Sequence, residues 1–134
     1  MSEGAEKLEA MGFVHCGEWH LEGTQPRYEL ERHATAQNVL YAFIVSGEVA
    51  YIGKTTRQLQ RRMYGYQQPG PTQSTNIKCN AYLREALQSG KAVAIHALPD
   101  NGLLYYGGFH VNLAAGLEDS IISGIKPSWN SAGV

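Results

Sequence analysis

Two short runs of β-favouring residues, Val39 to Val45 and Val49 to Ile52, are separated only by Ser46-Gly47-Glu48. Branched and aromatic side chains over such lengths suit a pleated surface, and a short spacer carrying glycine closes an antiparallel hairpin. Ala92 to Leu98 alternates well enough to form a third strand, turned by Pro99-Asp100-Asn101-Gly102. The expected fold is therefore α+β: a small central three-stranded antiparallel sheet flanked by helices. The segment from Phe13 to Leu30 is expected to add an N-terminal strand or to cover a sheet edge.

Helical signals fill the intervals. Arg57 to Tyr66 suits a helix with Thr55 or Thr56 as its cap. Gln67 to Ser74, interrupted by Pro69-Gly70-Pro71, reads as a loop. Thr75 or Asn76 then caps a second helix through Leu87, stopped by Ser89-Gly90. Leu113 to Ile125 forms a third, on which Glu118, Ile121, Ile122 and Ile125 follow helical spacing, so the Glu118 carboxylate emerges beside the apolar stripe. Residues 103 to 112 fit neither period, because Gly107-Gly108 breaks the strand-like Leu103-Leu104-Tyr105-Tyr106.

A length of 134 residues, 43% of them hydrophobic, suits one core. The expected division is an N-terminal extension, residues 1–36, packed on a domain formed by residues 37–134. No apolar run approaches a membrane span and Met1-Ser2-Glu3-Gly4 has no leader character, which points to a cytoplasmic protein without a membrane partner. Cys16 and Cys79 are read as free thiols, since Cys16-x-x-x-His20 lacks a second half for a zinc site.

The net charge of −1 hides a division. Residues 1–36 carry seven acidic and three basic side chains, whereas residues 37–134 carry eight basic and five acidic. Positive charge gathers at Lys54, Arg57, Arg61 and Arg62, followed by Lys78 and Arg84, the local footprint that phosphate binding requires. Arg57, Arg61 and Lys78 are therefore candidate DNA contacts. Gln73 and Asn76, in and beside the loop, have side chains able to read adenine edges.

Tyr41 lies in the first strand of the hairpin, within Val39-Leu40-Tyr41, and Tyr51-Ile52-Gly53 in the second. Leu59, Arg62 and Tyr66 follow at helical spacing, with Arg61 the competing choice of arginine, and the chain closes with Glu118, Ile121-Ile122 and Pro127-Ser128-Trp129-Asn130. Over roughly residues 38–130 this pattern resembles the GIY-YIG nuclease family. The second motif matches outright; the first departs from it, with Val39 where the family usually has glycine. The spacer Pro69 to Asn76 is most similar to that of small phage and restriction-type members.

Phosphodiester hydrolysis needs an activated water, a counter-charge for the transition state and stabilisation of the departing oxygen. Glu118 is the candidate ligand for Mg²⁺ or Mn²⁺, because a hard hydrated cation of the Mg²⁺ kind takes only one or two protein carboxylates. The resemblance implies Tyr41 as general base. A free phenol, with a pKa of about 10, needs nearby positive charge for that task, and Lys54 is placed to supply it. Tyr51 is expected to position the water or a phosphate oxygen. Arg62 would clamp a nonbridging oxygen, and Tyr66, one turn later, would contact the same phosphate or share the base role. Asn130 either orients the metal-site residues or anchors the chain end.

Gly53-Lys54-Thr55 is not a nucleotide-binding loop: that motif has four residues between its glycines, and five separate Gly47 from Gly53. No nucleotide cofactor is expected. The reading is a Mg²⁺-dependent DNA endonuclease, restriction-like or phage-type, that leaves 5′-phosphate and 3′-hydroxyl ends on duplex DNA and acts as a homodimer there. A structure-specific repair or recombination nuclease and an inactive nucleic-acid-binding module are the alternatives.

Overall fold

The computed structural model describes residues 2–99 and 105–131. The elements in chain order are α1 (Glu3–Ala10), β1 (Val14–Glu22), β2 (Gln25–Leu30), β3 (Val39–Val45), β4 (Glu48–Thr55), α2 (Leu59–Gln67), α3 (Ser74–Gln88), β5 (Val93–Pro99), β6 (Tyr105–Tyr106), β7 (Phe109–His110), α4 (Leu113–Ile125) and α5 (Ser128–Ser131). β1 to β5 form one antiparallel sheet in the order β2-β1-β5-β3-β4, and β6 pairs with β7.

The α+β architecture is the expected one, and the expected trio of β3, β4 and β5 is present as three neighbouring strands, with β4 at the margin of the sheet. The sheet is larger than three strands because the N-terminal segment contributes a hairpin, β1 and β2, that docks on β5. The hairpin of residues 14–30 is thus continuous with the rest of the sheet. Helix α1 lies outside the sequence expectations, although its signals are present: Ser2 Oγ accepts from Ala5 N at 3.2 Å, and Glu3 and Glu6 sit in the first turn, where the helix dipole favours negative charge. The expected turn at Asp100 to Gly102 lies outside the described residues.

Two apolar layers cover the sheet. Tyr41, Phe43 and Tyr51 pack with Leu59, Met63, Tyr66, Cys79, Leu83 and Trp129 on one face. Leu40, Ala42, Ile44 and Ile52 pack with Leu8, Phe13, Ala114 and Ile121 on the other. An irregularity between Phe43 and Ile44 leaves Ala50 as the extra residue of β4, which keeps Tyr51 on the first face while sending Val49 to the second. A similar shift between His15 and Gly17 lets Cys16 and Trp19 share a core, and Gly17 is required there because a Cβ would strike the Glu29 carbonyl. Both cysteines are free and buried. No helix among the described residues is long and apolar enough to cross a membrane.

The ends of α2 and α3 differ from the sequence expectation. α2 begins at Leu59 with Gln58 as its cap, and its first free amides, Leu59 N and Gln60 N, donate to the carbonyls of Ala36 and Ala34. Backbone of the β2–β3 connection therefore does the work expected of Thr55 or Thr56. Thr55 Oγ1 instead accepts from Arg57 N within the loop. α3 starts at Ser74, two or three residues earlier than a cap at Thr75 or Asn76 would place it, so Asn76 stands inside the helix.

Candidate active site

The hairpin register sets Tyr41 opposite Gly53 and Phe43 opposite Tyr51, which puts both phenols on the face that receives α2. Within α2, Leu59, Met63 and Tyr66 are buried, and Arg62 and Tyr66 are one turn apart. Arg62 consequently reaches over the core to the tyrosines. Its Nε donates to the Tyr41 hydroxyl at 3.0 Å, its Nη2 to the Tyr66 hydroxyl at 2.7 Å and its Nη1 to Asn76 Oδ1 at 3.0 Å. The Tyr41 and Tyr66 hydroxyl oxygens are 2.6 Å apart, and Tyr66 donates to the Tyr51 hydroxyl at 3.4 Å.

In the shorter contact either hydroxyl can be the donor, since each phenol carries one proton and can also accept. A chain of phenols then runs Tyr41, Tyr66, Tyr51, with the guanidinium donating into its first two members. Tyr41 and Tyr66 have no exposed surface, and Tyr51 keeps 6%. Burial pushes the ionisation of all three phenols up, more strongly than the Arg62 charge pulls it down. The phenols are accordingly protonated at neutral pH. Arg62 is held charged by the hydroxyl oxygens around it, against the opposing effect of its own burial.

On the α4 side of β4, Lys54 Nζ lies 3.7 Å from Glu118 Oε1. The Glu118 side chain is only 19% exposed, against 49% for Lys54, so the carboxylate is the better shielded partner. Its charge also raises the Tyr51 pKa, so the two halves of the site sense one another. Lys54, Arg57 and Arg62 share a cleft of about 440 Å³ with Thr55, Thr56, Asn112 and Ala114. Among the described residues no three His, Cys, Asp or Glu side chains converge on a metal position. A single shielded carboxylate suits a hydrated hard cation better than zinc, which takes three or four protein ligands.

Asn130 lies beside β4 and engages backbone: its Oδ1 accepts from Ile52 N at 2.9 Å and its Nδ2 donates to Ile52 O at 3.0 Å. Of its two expected roles, this geometry is that of an anchor. Arg61 is exposed beside Tyr28, Gln58, Gln60 and Tyr64, away from the phenol chain, which separates it from Arg62. Arg57 and Lys78 are exposed. Asn76, expected to face DNA, is instead 6% exposed and turned inward, with its amide engaged by Arg62 and Gln73. Gln73 is exposed, but its Oε1 accepts from Gly70 N and Asn76 Nδ2, so the side chain folds back on the loop.

One contributor escaped the sequence reading. Asn80 Nδ2 donates to the Tyr66 carbonyl at 2.9 Å and so fixes the end of α2. Its signal was four-residue spacing from Asn76, which puts two polar side chains on one stripe of α3.

No protein-family model and no curated protein matches this chain. Solved structures do. The E118A mutant of bacteriophage T4 EndoII superposes with a TM-score of 0.73 at 21% identity, over 97% of this chain and 99% of that one. Restriction endonuclease HPY188I in complex with product DNA superposes with a TM-score of 0.59 at 14% identity, over 92% of this chain and 79% of that one. At such identities the likeness is one of fold.

Proposed function

We propose that this chain is a Mg²⁺-dependent DNA endonuclease of the GIY-YIG type, restriction-like or phage-type, that hydrolyses phosphodiester bonds of duplex DNA to 5′-phosphate and 3′-hydroxyl ends. The observation that carries the reading is the convergence of Arg62 on Tyr41 and Tyr66, next to a cleft bordered by Lys54 with Glu118 at its side. The fold shared with a phage endonuclease and with a restriction endonuclease bound to DNA supports it.

Arg62 is the phosphate clamp. Its guanidinium brings a fixed planar charge to the rim of the cleft, where a nonbridging oxygen gains a bidentate partner as charge develops. Arg57 and Lys54 line the same cleft and draw the backbone of the nucleic acid toward it. Glu118 holds the cation, which when bound supplies Lewis-acid stabilisation of the departing oxygen. Lys54, which lines the cleft with Arg57 and Arg62, would turn its ammonium to the phosphate once the cation took its place on Glu118, and Tyr51 is the one of the three phenols with exposed surface. Tyr51 would then orient the attacking water through its hydroxyl, itself held by Tyr66, and the proton that the water gives up would leave to bulk solvent, since the three phenols keep their own. In this arrangement the buried Tyr41, protonated and without exposed surface, holds Arg62 and Tyr66 in place.

Each chain carries one such site and cuts one strand per encounter. Cleavage of both strands follows most simply from a two-fold homodimer on DNA. Supercoiled plasmid tests both points: purified protein should nick or linearise it in Mg²⁺ and not in EDTA, and a DNA-bound dimer should give linear product early. A folded protein that retards DNA but leaves the plasmid intact in Mg²⁺ and Mn²⁺ would replace this reading with that of a binding module.

A further inference from the structure

We propose that Asn76 is a positioning residue that holds the Arg62 guanidinium in line with Tyr41 and Tyr66 from the neighbouring helix. The proposal rests on the phosphodiesterase reading above. α3 presents Asn76, Asn80 and Arg84 at four-residue spacing, so one stripe of that helix faces α2. Arg84 Nη2 donates to Asn80 Oδ1 at 3.0 Å, Asn80 Nδ2 donates to the Tyr66 carbonyl, and Asn76 Oδ1 accepts from Arg62 Nη1 at 3.0 Å. The stripe thus grips both functional residues of α2, one by its carbonyl and the other by its side chain.

The chemistry explains why an asparagine stands at this position. Arginine has donors only, so the amide oxygen must face it, and the amide nitrogen then needs an acceptor of its own. Gln73 Oε1 provides that acceptor at 3.1 Å and is itself held by Gly70 N at 2.8 Å. The amide cannot flip without setting two donors against each other. Arg62 is therefore bound on two sides: the Nε and Nη2 edge by phenols, and the Nη1 corner by Asn76. A neutral acceptor fixes the guanidinium without neutralising it, whereas a carboxylate at position 76 would pair with the charge that the phosphate needs. Asn76 adds little apolar packing, and its contribution is orientation.

The test combines kinetics with arginine side-chain NMR on the full chain. Asn76→Ala should lower kcat on plasmid DNA by roughly tenfold to a hundredfold, the scale of a misplaced catalytic group, with KM changed by less than about twofold. In an Arg62→Ala background the same substitution should add less than about a twofold further loss, because a residue acting through Arg62 has nothing left to act on. The Arg62 Nη protons should give separate signals in the wild type that merge in Asn76→Ala as the guanidinium begins to rotate. Asn76→Ser, polar but too short to reach Nη1, should behave alike and covers the case in which Asn76→Ala does not fold. Wild-type kcat in both variants, an equal loss with and without Arg62, or unaltered Nη signals would each overturn the proposal. If the wild-type protein cleaves no DNA, the phosphodiesterase reading falls, and the Nη signals still decide whether Asn76 holds Arg62.

Discussion

The hydroxyl oxygen of Tyr41 lies 2.5 Å from the point where a Cβ on Gly53 would stand, with ring atoms at 2.6 and 2.8 Å. Glycine at position 53 is therefore a space requirement of the phenol in the opposite strand. Gly53→Ala should destabilise the fold by about 1–3 kcal/mol, the usual cost of overpacking. In a Tyr41→Ala background, where the ring is gone, the same change should cost close to nothing. Urea unfolding of the four proteins of that cycle measures the coupling, and additive effects would show that the clash is relieved elsewhere.

Glu118→Gln removes the charge of the shielded carboxylate while keeping its shape. DNA cleavage should be lost, with folding and DNA retardation retained, because the residue lies at the edge of the core and its ion pair with Lys54 is half exposed. Asp119→Ala, at an exposed neighbour, should remain active. Retained turnover in a folded Glu118→Gln protein would remove Glu118 from the site.

The two adjacent arginines should separate cleanly. Arg62→Ala should lower turnover by about two or more orders of magnitude, as loss of a transition-state donor does. Arg61→Ala should instead weaken DNA binding and reduce the salt slope by about one unit. Binding isotherms at several salt concentrations, set beside single-turnover rates, distinguish them, and the reverse ranking would show that Arg61 is the clamp.

Alkaline pH should unfold this protein early. Tyr41, Tyr51 and Tyr66 keep their protons in the folded state at pH values where exposed phenols, with a pKa of about 10, have lost them. The stability tied to their protonation is whole below pH about 10 and falls as pH rises above it, by about 1.4 kcal/mol per pH unit for each phenol. The buried thiols act in the same sense from about pH 9 upward, Cys16 being pushed up to about 11 and Cys79 further. Urea midpoints between about pH 9 and 11 should fall, most steeply above about pH 10, and less steeply in Tyr66→Phe. A midpoint flat over that range would mean that the phenols ionise without loss of structure.

Asn130→Ala should destabilise by about 1–3 kcal/mol, since Ile52 N and O lose their partner together. Asn130→Asp should fare no better, because an oxygen would then face the Ile52 carbonyl. Mn²⁺ affinity, read by its paramagnetic signal, should be unchanged in the folded fraction. A selective loss of Mn²⁺ binding with unaltered stability would return Asn130 to the metal site.

Legibility from sequence followed the range of the interactions. β3, β5 and α4 could be bounded almost to the residue because turn chemistry and periodicity are local properties. That Arg62 rather than Arg61 meets the tyrosines was legible for the same reason: Leu59, Arg62 and Tyr66 keep helical spacing, and all three face the core or its rim. The docking of the β1–β2 hairpin on β5 was not legible, because it joins segments some 75 residues apart and rests on a register shift at Gly17 that no local pattern announces. Nor was the inward turn of Asn76. A polar residue after a Pro-Gly loop looks solvent-facing until the loop is seen to continue into α3, which carries the side chain under Arg62.

Both margins of the sheet are stitched by side-chain amides: Asn130 takes the free backbone of Ile52 on β4, and Gln67 accepts from Tyr28 N on β2 at 3.2 Å. A strand from another molecule would have to displace an amide already in place at either margin. Self-association by strand addition, the ordinary route from an open sheet to fibrils, is thereby discouraged at both ends. A second copy recruited on a duplex that joined away from these margins would leave the pairing of β3 with β4, and with it the spacing of the tyrosines, undisturbed.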